Sequence, residues 1–192
     1  MILEAIAITQ DAAGRLNVAP MGPLTPDAPG ADWTEFRLRP FVTSQTYSNL
    51  QTRPSGVLHV TDDVLLFARA VLGKADPPTL PAEKVAGRRL ADCCSYFEFE
   101  IVAREGGGDR PPLVAAVRKH EQVRPWYGFN RAKHAVLEAA ILISRLEILP
   151  DAEIAAELSR LEITVKKTAG AAEFAAFELL KDRAASFAGA RS

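Results

Sequence analysis

Tyr96-Phe97-Glu98-Phe99-Glu100-Ile101-Val102-Ala103-Arg104 is the stretch on which the fold turns. Phe97, Phe99 and Ile101 alternate with Glu98 and Glu100, a period of two that puts apolar side chains on one face of a strand and carboxylates on the other. The expectation is a strand with one face in the core and the other in water. Beyond Gly106-Gly107-Gly108, Leu113 to His120 returns as its hairpin partner. Upstream, Leu3 to Thr9 and Arg15 to Ala19 flank a turn at Asp11 to Gly14 and read as another hairpin. Phe36, Leu38 and Pro40 alternate with Arg37 and Arg39, and Gly56 to Thr61 is a further short strand. Ser44 to Leu50 and Asp62 to Leu72 read as short helices between strands, the second capped by Thr61 or Asp62.

Twelve of the 13 prolines fall by Pro125, so the remaining residues can form long uninterrupted helices. Ile154, Leu158, Leu161 and Val165 make one apolar stripe at helical spacing, and Phe174, Phe177, Leu180, Ala184 and Phe187 make another. Pro150 with Asp151 and Glu153 starts the first, and Gly170 separates the two. Short strands with helical insertions before a helical end give an α+β, mainly β class: a small antiparallel barrel, residues 1–128, with a C-terminal helical region, residues 129–192, packed on the barrel or on a dimer partner.

Composition narrows the function. The 192 residues carry 23 Lys+Arg against 24 Asp+Glu, and residues 129–192 hold nine of each, so no segment has the basic excess of a phosphate-tracking nucleic-acid binder. With 48% hydrophobic residues the chain can fill a core. Met1-Ile2-Leu3-Glu4 lacks a basic leader, and Ala135 to Leu149 is broken by Glu138 and Arg145 and is too short to cross a bilayer. A soluble cytoplasmic protein without membrane attachment is expected, its adjacent Cys93 and Cys94 reduced thiols in a strand. His59, His120 and His134 share no metal-ligand spacing. Gly106 to Gly108 lacks the Lys-Ser/Thr of a phosphate loop, and no Gly-x-Ser-x-Gly elbow occurs.

Three constellations carry chemistry. Asn17-Val18-Ala19-Pro20-Met21-Gly22-Pro23 is a rigid strand exit suited to a planar ring, or an ordinary exit. Pro40-Phe41-Val42-Thr43-Ser44-Gln45-Thr46-Tyr47-Ser48-Asn49-Leu50 puts three hydroxyls, Thr43, Ser44 and Thr46, beside a helix start, where free N–H groups attract phosphate; Arg39 adds charge. Plain capping by Ser44 explains one hydroxyl of the three. Asn130-Arg131-Ala132-Lys133-His134 opens a helix that is apolar almost all round, yet Arg131, His134, Glu138 and Arg145 share one side. Buried, they must pair as an Arg131–Glu138–Arg145 ladder or face an anionic ligand at the Asn130 and Arg131 end.

Together, Met1 to Glu4, Asn17 to Gly22 with Pro23, Pro40-Phe41 with Ser44-x-Thr46-Tyr47-x-Asn49-Leu50, Thr61-Asp62-Asp63-Val64 and Phe129 to His134 resemble an uncharacterised archaeal and bacterial family of the FMN-binding split-barrel, flavin-reductase-like superfamily. The resemblance implies a six-stranded Greek-key split barrel, a homodimer, and FMN in a cleft between subunits. It puts Asn17, Ala19, Pro20, Met21 and Gly22 near the flavin, and Ser44, Thr46, Tyr47 and Asn49 near its phosphate. Where reductases of the superfamily carry several Ser/Thr after the Asn, this chain reads Val18-Ala19-Pro20-Met21-Gly22, so Thr43, Arg39, Asn130 or Arg131 would complete the cradle. The implied function is an FMN-dependent oxidoreductase in a setting of one-carbon, methanopterin-type metabolism, with a small-molecule electron donor and acceptor. The alternative is a flavin-binding or accessory protein without turnover.

Overall fold

The computed structural model describes residues 1–27 and 32–190. Its strands are β1 (Ala5–Gln10), β2 (Leu16–Met21), β3 (Glu35–Leu38), β4 (Ser55–Val60), β5 (Thr79–Pro81), β6 (Arg88–Leu90), β7 (Ser95–Arg104) and β8 (Leu113–Gln122). Its helices are α1 (Gln45–Thr52), α2 (Val64–Val71), α3 (Arg131–Ile143), α4 (Asp151–Thr168) and α5 (Ala171–Gly189). Six strands form one sheet in the order β2-β1-β4-β7-β8-β3, with every pair antiparallel. Chain order and sheet order part company after the first hairpin: β3 lies at the far edge and β4 returns to the centre. This is the expected six-stranded Greek-key barrel sheet.

Local chemistry explains the joints. Asp11 closes the first hairpin: its carbonyl accepts from the Gly14 N–H at 3.0 Å and its carboxylate from the Arg15 N–H at 2.9 Å, while Gly14 takes φ +84°, a left-handed conformation open to glycine. Gly56 permits close packing at the sheet centre, since a Cβ there would lie 2.8 Å from the Ile8 carbonyl oxygen and 2.9 Å from the Phe99 ring. The inner face of the sheet carries Phe36, Leu38, Leu58, Phe97, Phe99 and Leu113, all essentially fully buried. Phe36 meets Phe97 and Phe99 edge-on, at 75° and 74°.

The other face of β7 meets water only in its second half, where the Glu100 side chain is 44% exposed in its ion pair with Arg118; the first half is covered. Glu98 is fully buried, and its carboxylate accepts the backbone N–H groups of Glu83, Lys84 and Val85 at 2.9, 2.5 and 3.2 Å. The ribbon β5–β6, absent from the sequence reading, covers this face. His59 and Tyr96 are buried there too, and His59 bridges β1 to β6, with Nδ1 3.1 Å from the Ile6 carbonyl oxygen and Nε2 accepting from the Leu90 N–H at 3.0 Å. Desolvation holds the His59 pKa down at about 4, so the ring is neutral and Nδ1–H is the donor to Ile6.

Several boundaries differ from expectation. Strand β2 runs on through Pro20 to Met21, which an edge strand tolerates. Helix α2 is capped by Asp63, whose carboxylate accepts from the Leu66 N–H at 3.0 Å, not by Thr61 or Asp62. Cys93 and Cys94 are buried thiols outside any disulfide, and they precede β7 instead of lying in it.

The chain divides into two units: residues 1–61 with 76–126, and residues 62–75 with 127–190. The division expected after residue 128 therefore misses one exchange, because α2 leaves the strand-rich part of the chain to join the terminal helices. In the helical unit Val64, Ala68, Val136, Ala140, Ile154, Leu158, Phe177 and Leu180 share one core. Arg131, His134, Glu138 and Arg145 do lie on one side of the third helical segment, but all four are exposed. The buried ladder is thus corrected: α3 has a solvent face, opposite a core face built from Ala132, Ala135, Val136, Ala139, Ala140 and Ile143. No described helix is long and apolar enough to cross a membrane.

Candidate functional site

Helix α1 packs against β1 and β2, and its orientation is set by a buried polar knot. Asn17 on β2 donates from Nδ2 to the hydroxyl oxygens of Thr46 at 3.0 Å and Thr9 at 3.4 Å. Asn49 donates to the same Thr9 oxygen at 3.0 Å and accepts from Gln45 Nε2 at 2.6 Å. Thr9, Thr46 and Asn49 are buried, and the bonds of Asn17 to Thr46 and of Asn49 to Thr9 tie helix to sheet. The Asn17 Oδ1 has no protein donor among the described residues.

The hydroxyls therefore divide by task. Ser44 is the N-cap: its Oγ accepts from the Tyr47 N–H at 3.2 Å and donates to the Phe41 carbonyl at 2.7 Å. Thr46 and Asn49 hold the fold of the site from beneath. Thr43 is exposed, and its hydroxyl has no partner among the described residues. The N–H groups of Gln45 and Thr46 belong to the first turn and have no intrahelical acceptor, and that turn contains no acidic residue.

Just upstream, Arg39 has a buried Nε without a hydrogen-bond partner among the described residues. A guanidinium nitrogen in that state calls for an acceptor that the described residues do not supply. The segment from Arg39 to Thr43 is clamped by the β7–β8 loop. Arg110 Nε donates to the Arg39 carbonyl at 2.9 Å, its guanidinium sits 4.4 Å from the Phe41 ring centroid, and the Asp109 carbonyl accepts from the Val42 N–H at 2.9 Å. Arg104 lies 5.5 Å from the centroid of the buried Tyr47 ring. Arg104 and Arg110 were missed by sequence reasoning; the end of β7 and the loop after it deliver them, and no local spacing announces it.

The remaining expected residues sit apart. Ala19 and Pro20 are half-buried on β2, Met21 is buried at its end, and a Cβ on Gly22 would lie 3.2 Å from Ile2 Cγ2. Met21 is four residues along the strand from Asn17, about 13 Å at the usual rise. One ligand meets both ends only by lying along this edge strand. Asn130 and Arg131 belong to the other unit. Asn130 is the N-cap of α3, accepting from the Ala132 and Lys133 N–H groups at 2.8 and 3.1 Å and donating to the Thr168 carbonyl at 3.2 Å. Its side chain is committed to structure. Arg131 is exposed. Lys133, at the same helix start, is bound by Asp62 at 2.8 Å, with Glu173 at 3.9 Å. Burial pushes the Cys93 thiol up to about 12, which leaves no thiolate for chemistry.

Solved structures share this architecture. An FMN-bound protein from Methanosarcina mazei matches with a TM-score of 0.78 at 20% identity, over 95% of this chain and 94% of that one. The flavoredoxin of Desulfovibrio vulgaris (Miyazaki F) matches at 0.51 and 10% identity, over 63% of this chain and 69% of its own. The styrene monooxygenase flavin reductase of Pseudomonas putida S12 matches at 0.50 and 12% identity, over 64% and 80%. At these identities the likeness concerns the fold, which is the flavin-reductase-like split barrel. No curated protein sequence matches the chain significantly. The family model described as the N-terminal domain of DUF447, a protein of unknown function, matches residues 3–124, and its C-terminal counterpart matches residues 130–182. On both matches, which follow one another along nearly the whole chain, the protein belongs to the DUF447 family.

Proposed function

We propose that this protein binds FMN with the phosphate at the Arg39 to Thr46 segment, and that it acts as a homodimeric FMN-dependent oxidoreductase of the flavin-reductase type. The observation that carries the reading is the buried, unpartnered Nε of Arg39 next to the exposed Thr43 hydroxyl and an acid-free helix start. A phosphate fits this donor set: a guanidinium for charge, a hydroxyl, and the Gln45 and Thr46 N–H groups. Asn17 keeps an acceptor for a ring N–H, and its donors keep α1 in place. Bound there, FMN would supply the hydride or electron transfer, while the protein orients it and stabilises its charge. The FMN-bound neighbour from Methanosarcina mazei supports the choice of ligand. The link to one-carbon, methanopterin-type metabolism rests on the family resemblance alone. Tyr127 and Phe129, 84% and 83% exposed, support an assembly that covers them.

Calorimetric titration of the full chain with FMN tests the site: saturable binding is expected, weakened at least tenfold by Arg39→Ala. Binding unchanged in that variant removes the phosphate from this segment. Anaerobic mixing with a nicotinamide or a reduced deazaflavin separates an oxidoreductase, in which the 450 nm band bleaches within turnover times, from a flavin carrier, in which it persists. Light scattering showing a monomer with and without FMN excludes the homodimer.

A further inference from the structure

Strand β3 ends at Leu38, which pairs with Leu113 at the start of β8. The segment that opens with Arg39 and the β7–β8 loop, residues 105–112, therefore leave the sheet side by side. A backbone outside helix and sheet keeps its shape only where partners hold it. Apart from the bonds of the cap Ser44 to the Phe41 carbonyl, two hydrogen bonds hold the backbone of Arg39 to Thr43 among the described residues, and both are made with this loop. Arg110 Nε donates to the Arg39 carbonyl at 2.9 Å, and the Asp109 carbonyl accepts from the Val42 N–H at 2.9 Å. The Arg110 guanidinium adds a contact to the Phe41 ring, 4.4 Å from its centroid.

The loop is firm at its base and loose toward its tip. At the base the Glu105 N–H donates to the Pro112 carbonyl at 2.8 Å, and the Glu105 carboxylate takes Arg37 Nε and Nη2 at 2.9 and 3.1 Å. Pro111 is buried. Between these anchors Gly106, Gly107 and Gly108 pack against nothing: no atom lies within 4 Å of the place a Cβ would take at any of them. Gly106 and Gly108 have φ of +65° and +85°, so the run is a hinge that only glycine supplies cheaply. Asp109 and Arg110 make no other hydrogen bond to a described residue. What keeps the tip in place is its hold on the Arg39 segment. Neither the Arg39 nor the Arg110 guanidinium has an ion pair among the described residues, so an anion bound beside them steadies both.

We propose that the β7–β8 loop is a latch on the phosphate segment and sets how fast the phosphate held there leaves, with Arg110 as the positioning residue that fixes Arg39 through its carbonyl. This rests on the reading of Arg39 to Thr46 as the FMN phosphate site. The latch acts on release more than on capture. An unlatched segment still offers a guanidinium, a hydroxyl and a helix start, whereas escape from the latched one requires the tip to swing off Arg39 and Val42.

Two measurements on the full chain read the latch separately. Hydrogen exchange at the Val42 amide reports the tip contact without any ligand, and recovery of free-flavin fluorescence after dilution reports FMN release. Arg110→Met keeps the stem but loses donor and charge; it should raise Val42 exchange and FMN release about tenfold each, with association changed less than about threefold. Arg110→Lys keeps a donor and a cation over Phe41 and should return both rates to within about threefold of the wild type. The amides of Glu83, Lys84 and Val85, held by Glu98, should exchange as in the wild type, which separates an opened latch from a loosened fold. Phe41→Leu removes a ring that is 53% exposed and serves if Arg110→Met does not fold; release should quicken about threefold. The latch is overturned if Arg110→Met, or Phe41→Leu in its place, releases FMN at the wild-type rate, if the loss of affinity lies in association alone, or if Arg110→Lys is no better than Arg110→Met. A wild type that binds no FMN defeats the flavin reading instead. Inorganic phosphate then serves as the probe: it should slow Val42 exchange in the wild type and not in Arg110→Met, and the latch is overturned if it slows neither or both alike.

Discussion

Asn17 and Thr46, 29 residues apart, meet at 3.0 Å and lock the edge strand to the helix that follows β3. Because Thr46 is buried, Asn17→Ala leaves its hydroxyl without a donor, while Thr9 keeps the shorter bond from Asn49. The expected cost is about 1–3 kcal/mol in urea denaturation. Thr43→Ala, at an exposed position, should stay within about 0.5 kcal/mol of wild type while weakening FMN. Equal stability of both variants would deny the division of labour between the hydroxyls.

His59 sets a pH dependence. Its pKa in the fold, about 4, lies below the 6.5 of a free imidazole. Between these values the unfolded chain takes up a proton that the folded chain does not. Its contribution is therefore complete above about pH 6.5 and is lost as pH falls toward 4, amounting to about 3 kcal/mol. Urea midpoints across this range should fall more steeply in wild type than in His59→Gln. His120, whose pKa is also lowered, adds to the slope of both proteins, so the difference between them isolates His59. Parallel curves would show that His59 does not gate acid stability.

How much of this was legible in the sequence depends on what covers each element. The alternation in 96–104 correctly sends Phe97 and Phe99 to the core, since a period of two is a property of the strand alone. It missends Glu98 because β5 and β6 cover the outer face, and three-residue strands beside Pro77, Pro78 and Pro81 carry no periodic signal. Ser44 reads as a cap from its own spacing, and it is one. The bonds of Thr46 to Asn17 and of Asn49 to Thr9 join positions far apart in sequence, so no local spacing announces them. The polar stripe of α3 is real, but its side was misjudged: a core face made largely of alanine leaves the helix less apolar than its raw count suggests.

Glu98 tests the hidden ribbon. Glu98→Ala removes the acceptor of three backbone N–H groups in the loop joining β5 to β6. A loss of about 3 kcal/mol is expected, with hydrogen exchange rising first at Glu83, Lys84 and Val85. Glu98→Gln keeps an acceptor oxygen and should lose less. Unchanged protection of those three amides in Glu98→Ala would show that the ribbon holds without the carboxylate.

The last contrast lies at the start of α3, between Arg131 and Lys133. Arg131 is exposed, so Arg131→Ala should alter stability by less than about 0.5 kcal/mol. Lys133 is three-quarters buried and joins Asp62, just ahead of α2, to Glu173 in the first turn of α5, both carboxylates only 13% exposed. Lys133→Ala leaves these two acids facing each other across a lost cation. That pair lies between the exposed and the fully buried regimes, and the expected loss is about 1–2 kcal/mol. Lys133→Met, which keeps the aliphatic volume, isolates the charge: it should lose most of the same amount, and 1 M salt should narrow its gap to wild type. If Arg131→Ala proves the more damaging of the two, the solvent face assigned to α3 is wrong.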